Sequence, residues 1–347
     1  PSLNPERVFP PLPTRVLPRT IALPMSSKLT TGVIICTRNR AEVLKRCLTS
    51  VAAQQPDEII VVDNAPADDS TRRLVAGSAA TYVCEPAVGL SRARNRGALA
   101  SSADVVAFID DDAMAEPGWL EALAGEFADP KVMAVAGRIL PASLETPAER
   151  LFERAGGFTR NGVGRMVVDG DTKGWFALAN FGGIGAGANI AVRRAAFESW
   201  PGFNPQLGRG TVMGANEEQQ AFFELIERGY RVVYTPQAKV QHPYARTMRE
   251  LRTRHLQTIH FSSAYVAWLF AEKPACRKEV LAFVSSWILG RWPAVAAGAG
   301  PRLELAARWQ VLLALISGPL RCGMARRARS RSHSRAAPVS TARLATA

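Results

Sequence analysis

The stretch that most restricts this chain is Val105-Val106-Ala107-Phe108-Ile109, followed at once by Asp110-Asp111-Asp112. Five apolar residues rich in β-branched types, entered from Ser101-Ser102 and left through three acids, predict a buried parallel strand with carboxylates at its C-terminal end. Adjacent carboxylates raise one another's pKa and resist ionising together. A hard divalent ion, Mg²⁺ or Mn²⁺, relieves that repulsion, prefers oxygen ligands and keeps positions open for phosphate oxygens. The plain alternative is a solvated acidic turn, and the neighbouring segments weigh against it.

Upstream the pattern is strand, helix, strand. Val33-Ile34-Ile35-Cys36 is a short apolar run, Thr37-Arg38-Asn39-Arg40 a polar loop, and Ala41 to Gln54 a helix with Val43, Leu44, Cys47, Leu48 and Val51 on one face. Ile59 to Val62 forms a second strand closing on Asp63-Asn64, and a third near Tyr82-Val83-Cys84 leads into a helix starting within Gly89 to Gly97. Pro117-Gly118-Trp119-Leu120 opens a helix reaching about Phe127, with Trp119 a packing residue, and Val132 to Val135 is a further strand. Continuous apolar strands alternating with helices imply an α/β fold whose mixed, mostly parallel sheet is covered by helices on both faces. In open α/β sheets ligands bind outside the carboxyl ends of the strands. Thr37, Asp63 and Asp110 to Asp112 all stand at such ends.

At 347 residues the chain can bury a large core, and 47% hydrophobic with 21% charged residues is ordinary for a globular protein. The net charge of +13 points to an anionic partner. Five scattered cysteines without CxxC spacing argue against a disulfide framework or zinc site and fit a reducing cytoplasm. No basic start followed by an apolar run marks a signal peptide, although the chain begins with Pro1 rather than Met. Six prolines between Pro5 and Pro24 make residues 1–30 an extended arm.

Seven segments in order together resemble a family 2 glycosyltransferase of the GT-A fold: Val33 to Arg40; Val61-Val62-Asp63-Asn64-Ala65-Pro66-Ala67-Asp68; Gly89-Leu90-Ser91-Arg92-Ala93-Arg94-Asn95-Arg96-Gly97; Phe108 to Asp112; Gly187 to Arg194; Gly214-Ala215-Asn216-Glu217-Glu218; and Val240-Gln241-His242. They cover about residues 31–245, a span expected to form the GT-A domain. The resemblance implies a nucleotide-diphosphate-sugar donor, a divalent ion and inversion at the anomeric carbon. It implies that Asp63 contacts the nucleoside, with UDP-sugars favoured, and that Arg94 lies near the base or diphosphate. Asp110 and Asp112 would hold the ribose side and the metal, the latter with His242, and Asp111 fills the variable middle position. The loop residues Thr37, Arg38 and Arg40 join the expected donor contacts, as does Gly187, because glycine permits close backbone approach. Where the family commonly has Gly-Glu-Asp this chain has Asn216-Glu217-Glu218, so the base falls to Glu218 or to Glu217 beside it. The acceptor, a saccharide or a lipid-linked one, would be chosen by the loop from about Pro141 to Ala186, which follows no assignable motif.

Beyond His242 a helical region, 246–320, is expected. Its apolar run Val280 to Leu289 is interrupted by Arg291 and Pro293, short of the ~20 residues a membrane span requires. A second apolar piece, Val311 to Ile316, ends at Gly318-Pro319, and residues 321–347 read as a disordered basic tail. Apolar helices beside a polybasic run suggest peripheral contact with the anionic inner face of the plasma membrane, each Arg adding ~1 kcal/mol. A sugar-1-phosphate nucleotidyltransferase would need a glycine-rich, Arg-bearing loop after the first strand, and the chain lacks it. Specific nucleic-acid binding would call for stacking platforms or a known module, and neither is visible. An inactive scaffold built on the same fold is the remaining alternative.

Overall fold

The computed structural model describes residues 29–158, 164–288, 305 and 307–335. Its elements in order are β1 (Thr31–Thr37), α1 (Ala41–Ala52), β2 (Glu58–Asn64), α2 (Ser70–Ala76), β3 (Thr81–Glu85), α3 (Leu90–Ala100), β4 (Val105–Asp110), β5 (Met114–Ala115) and α4 (Trp119–Gly125). They continue with β6 (Val132–Pro141), α5 (Pro147–Arg154), β7 (Met166–Val168), α6 (Trp175–Asn180), β8 (Asn189–Arg193), α7 (Glu217–Glu227), β9 (Arg231–His242), α8 (Met248–Glu272), α9 (Arg277–Ile288) and α10 (Arg308–Arg335).

One sheet runs β3-β2-β1-β4-β8-β6-β9-β5, with β7 on the side of β9. The β3-β2-β1-β4 half and the β6-β9 pair are parallel, and these ladders carry most of the paired residues. β8 enters antiparallel between β4 and β6. The strands are apolar throughout because both faces are covered: alternate side chains point to opposite layers. Ile34, Val62, Phe108 and Ile190 face a layer that includes α3, α6 and α7, while Val33, Ile35, Val61 and Ile109 face α1 and α4. Trp119 is fully buried in the second layer and donates its indole N–H to Asn189 Oδ1 at 2.8 Å, so its work is packing.

Several expectations change. Val43 is exposed, since on α1 the buried face is Leu44, Cys47, Leu48 and Val51 and Val43 lies a turn-third away from its centre. β6 reaches Pro141, well beyond Val135, passing through an irregularity at Gly137/Arg138. There Asn189 Nδ2 donates to the Arg138 and Ala238 carbonyls, each at 2.9 Å. The largest change is at the C-terminus. α10 does not stop at Gly318-Pro319 but continues to Arg335, so the first part of the expected disordered tail is helical. The reason is tertiary: Ala314, Gly318, Cys322 and Ala325 bury one face of α10, and Gly318 packs on Ser263 of α8. Pro319 lies on the exposed side. The Pro-rich arm through residue 28 and residues 336–347 lie outside the described residues. Among the described residues no helix is long and apolar enough to cross a membrane.

Candidate active site

The parallel register sets the polar strand ends side by side. Thr37 stands opposite Asp63, and Cys36 opposite Asp110, at one edge of the sheet. Asp110 closes β4, and Asp111 and Asp112 form the turn after it, closed by the Ala113 N–H on the Asp110 carbonyl at 3.0 Å.

The three acids have different surroundings. Asp111 is buried, accepts the Thr37 hydroxyl at 2.7 Å and pairs with Arg40 Nη1 at 2.8 Å. Burial pushes it up to about 6, against the Thr37 hydrogen bond and the Arg40 charge. Arg40 Nη2 donates to Asp112 Oδ2 at 2.8 Å. Burial works to raise Asp112, but His242 and Arg40 together hold it well below the usual carboxylate range. Arg40 therefore clamps two of the three acids, and Arg38, on the same loop, is exposed.

His242 arrives as the last residue of β9. Its Nδ1 donates to the Pro243 carbonyl at 2.9 Å, which aims Nε2 at Asp112 Oδ1, 3.2 Å away, and Asp110 Oδ2, 3.7 Å away. Burial alone would lower the imidazole, but the two carboxylates outweigh it and raise it to about 10, so this place favours positive charge. Ligand atoms of Asp110, Asp112 and His242 all lie within 4.8 Å of one another. Two carboxylate oxygens and one imidazole whose second nitrogen is anchored by a carbonyl fit Mn²⁺, and Mg²⁺ where oxygens dominate the remaining ligands.

The second half of the site is organised by Arg94 of α3, 2% exposed. Its Nη1 meets Glu217 Oε1 at 2.8 Å, and its Nη2 donates to the Gly187 carbonyl at 2.9 Å and lies 3.7 Å from Asp110 Oδ1. Burial opposes its charge, and Glu217, Asp110 and Glu218 overcome that to raise it. One guanidinium thus joins the end of β4, the segment before β8 and the start of α7. A Cβ on Gly187 would lie 2.7 Å from Arg94 Nη2, so glycine here makes room for the arginine.

Glu217 and Glu218 open α7 and differ in kind. Glu217 is buried and neutralised by Arg94. Glu218 is half-buried, and its Oε1 accepts the Gly187 N–H at 3.3 Å and Gln219 Nε2 at 3.2 Å. Burial first, then the Glu217 charge, push it up to about 7, with Arg94 acting against both. Asn216 before them has φ 72°, the left-handed region that Gly and Asn tolerate best, so asparagine does here what glycine does in the common motif.

Asp63 is fully buried and accepts the Tyr82 hydroxyl at 3.1 Å. Its Oδ1 is buried with no hydrogen bond at normal distance. Burial raises it, with the Tyr82 and Thr71 hydroxyls acting the other way. Cys36 offers no thiolate at this edge, since burial raises its thiol to about 12.

Residues that sequence reading passed over include Tyr82, whose alternate position on β3 faces Asp63, and Asn64. The Asn64 amide donates to the Glu85 and Ala87 carbonyls at 3.2 and 2.7 Å and accepts the Gly89 N–H at 2.9 Å, tying β2 to the start of α3. A buried asparagine directly after a strand-terminal aspartate was the available signal.

Comparison with known proteins bears on the family and the fold. Residues 32–200 match the family described as Glycosyl transferase family 2. The chain is 30% identical over 226 residues to a pre-mycofactocin glycosyltransferase of Mycobacterium tuberculosis, covering 63% of this chain but only 43% of that protein. It is 28% identical over 222 residues to a glucosyl-dolichyl phosphate glucuronosyltransferase of Haloferax volcanii, covering 61% of this chain and 68% of that one. The mannosyltransferase PcManGT from Pyrobaculum calidifontis, solved with GDP-Man and Mn²⁺, superposes with a TM-score of 0.55 at 18% identity, covering 88% of this chain and 89% of that one. That likeness bears on the fold, the GT-A arrangement expected from the sequence. The segment from β1 through β8, which contains the Asp110 to Asp112 turn, is thus the part of this chain that matches glycosyl transferase family 2.

Proposed function

We propose that the protein transfers a sugar, with inversion, from a nucleotide-diphosphate donor to a saccharide or lipid-linked acceptor at the cytoplasmic side of a membrane. The observation that carries the reading is one continuous network. Arg94 links Asp110, a member of the cation-favouring triad with Asp112 and His242, to Gly187 and Glu217, and the Gly187 N–H holds Glu218. Asp110, Asp112 and His242 would hold a divalent ion, Mn²⁺ or Mg²⁺. When bound, such an ion neutralises charge building on a diphosphate leaving group.

The chain's own residues do the rest. Asp63, whose carboxylate is held by the Tyr82 and Thr71 hydroxyls, marks the nucleoside end of the crevice, with uridine favoured. Thr37, Arg40 and Arg94 keep the three acids oriented, with Arg38 exposed beside them for a phosphate. Glu218 takes the proton from the attacking acceptor hydroxyl. That oxygen bonds to the anomeric carbon on the face opposite the leaving group, the carbon–oxygen bond to the diphosphate breaks, and the configuration inverts. Glu218 is preferred over Glu217 because Glu217 is buried against Arg94, whereas Glu218 is only half-buried, and burial and the Glu217 charge push it up to about 7. Relatives named for a glucosyl-dolichyl phosphate and for O-antigen chains support saccharide and lipid-linked acceptors.

Calorimetric titration of UDP, GDP and dTDP with and without Mn²⁺, repeated on Asp112→Asn, tests this. Metal-dependent binding of one nucleotide that is lost in the variant is the expected result. Binding of no nucleotide under any metal condition would leave the inactive-scaffold reading.

A further inference from the structure

Nothing in this reaction uses the outer face of α10. Its inner face is a stripe of small residues, Ala314, Gly318, Cys322 and Ala325, spaced by four, four and three. It seats the helix against α8 so closely that a Cβ on Gly318 would overlap Ser263 Oγ. The Ser263 hydroxyl donates to the Ala314 carbonyl at 3.1 Å, and Arg326 pairs with Glu272 at 2.9 Å. The opposite face carries Trp309, Leu312, Leu313, Ile316, Leu320 and Met324, each between 56% and 67% exposed. At 1.5 Å per residue they form a ridge roughly 22 Å long. Scattered exposed apolar residues are normal, but six large ones aligned on one helical face mark an interaction surface.

Charge says what covers it. Arg327, exposed, stands on the same face one turn beyond Met324, and Arg326 is exposed beside it. From residue 305 to the C-terminus the sequence has eight arginines and no Asp or Glu, more than half of the net +13. A second copy of this chain would bring the same cations against these. A nucleic acid would leave the apolar ridge in water. We propose that α10 docks on the surface of an anionic lipid bilayer, lying in its plane with the ridge in the acyl boundary and the arginines on headgroup phosphates.

The helix is coupled to the candidate active site. Arg321 Nη1 donates to the Val212 carbonyl at 2.9 Å and the guanidinium stands 5.6 Å over the Phe261 ring, while Gln206 Nε2 donates to the Ala325 carbonyl at 3.3 Å. Val212 and Gln206 belong to the loop that ends in Asn216-Glu217-Glu218. A docked α10 therefore holds that loop near the bilayer, where a lipid-linked acceptor would present its hydroxyl; this last step rests on the proposed transferase activity, and the docking does not.

The test is co-sedimentation of the full chain with vesicles of phosphatidylcholine alone or with roughly 30 mol% phosphatidylglycerol. Wild type should partition onto the anionic vesicles and only weakly onto the neutral ones. Leu313→Ser, Ile316→Ser and Leu320→Ser combined should lower partitioning about tenfold or more. Arg327→Gln, which leaves the ridge intact, should lower it about fivefold at low salt. Unchanged urea midpoints would show that the variants fold. Wild type remaining in the supernatant with anionic vesicles, equal binding by the triple variant, or a sedimentation-velocity dimer that the triple variant dissolves would each overturn the proposal. Nucleotide binding, measured on the same samples, should be unaffected by the triple change; its absence in wild type would remove the transferase reading and leave the docking result standing.

Discussion

Replacing Arg94 by Met removes one buried charge while keeping a side chain long enough to pack on Phe203, whose ring the guanidinium overlies at 5.4 Å. Arg94 and Glu217 are 2% and 5% exposed and meet at 2.8 Å. Removing one partner of a buried pair strands the other, at a typical cost of about 3–5 kcal/mol. Chemistry sets a ceiling, because the stranded carboxyl can take up a proton. At about 1.4 kcal/mol per pH unit above the ordinary glutamate value of about 4.3, that escape costs roughly 4 kcal/mol at pH 7 and roughly 1 kcal/mol at pH 5. The sign follows from linkage: a carboxyl whose folded pKa is raised above its unfolded value costs nothing below the unfolded value and progressively more as pH rises toward the folded one. Urea unfolding of Arg94→Met should therefore show a loss of about 3–4 kcal/mol at pH 7 that shrinks to about 1 kcal/mol at pH 5. Adding Glu217→Gln should restore most of the loss at pH 7. A loss below about 1 kcal/mol at pH 7, or one that is equal at both pH values, would refute the assignment of a stranded charge.

Glu218→Gln should lower kcat by about 10²- to 10⁴-fold while nucleotide binding persists. In wild type, kcat/KM should rise as pH passes through about 7, since the carboxylate is the active form and only its deprotonation supplies the base; the same limb surviving in Glu218→Gln would assign it elsewhere. His242→Gln should weaken Mn²⁺ binding, read by calorimetry, by at least the 10- to 100-fold typical of outer-shell changes, and unchanged affinity would remove His242 from the ligand set. Gly137→Ala should cost about 1–3 kcal/mol, because its Cβ would fall on the Ala238 carbonyl and the Asn189 amide, where backbone cannot give way; a neutral effect in urea unfolding would show that the β6–β9 irregularity relaxes.

The features legible in the amino-acid sequence are local in origin. Runs such as Val33 to Cys36, Ile59 to Val62 and Val105 to Ile109 are apolar without alternation because both sheet faces are covered, and that pattern is readable in five residues. The acids at their ends then had to share one edge, as the Thr37–Asp63 and Cys36–Asp110 register has it. The departure at Asn216-Glu217-Glu218 was visible too, though not its meaning: only the backbone, with φ 72° at Asn216, explains why asparagine can stand there.

Tertiary structure alone decided the partnerships. Arg94 and Glu217 are 123 residues apart in sequence, and no spacing rule joins them. It is the packing of α3 against the start of α7 that makes Glu217 a counter-charge and leaves Glu218 half-buried beside it. His242 reaches the acids because β9 runs parallel to β6 across the sheet, with Pro141 opposite His242, a pairing set by long-range register. At the C-terminus local rules predicted a stop at Gly318-Pro319, since proline has no N–H to donate and glycine favours helix ends. The helix persists because the missing Cβ of Gly318 lets α10 sink onto α8, and burial of that face outweighs the local preference.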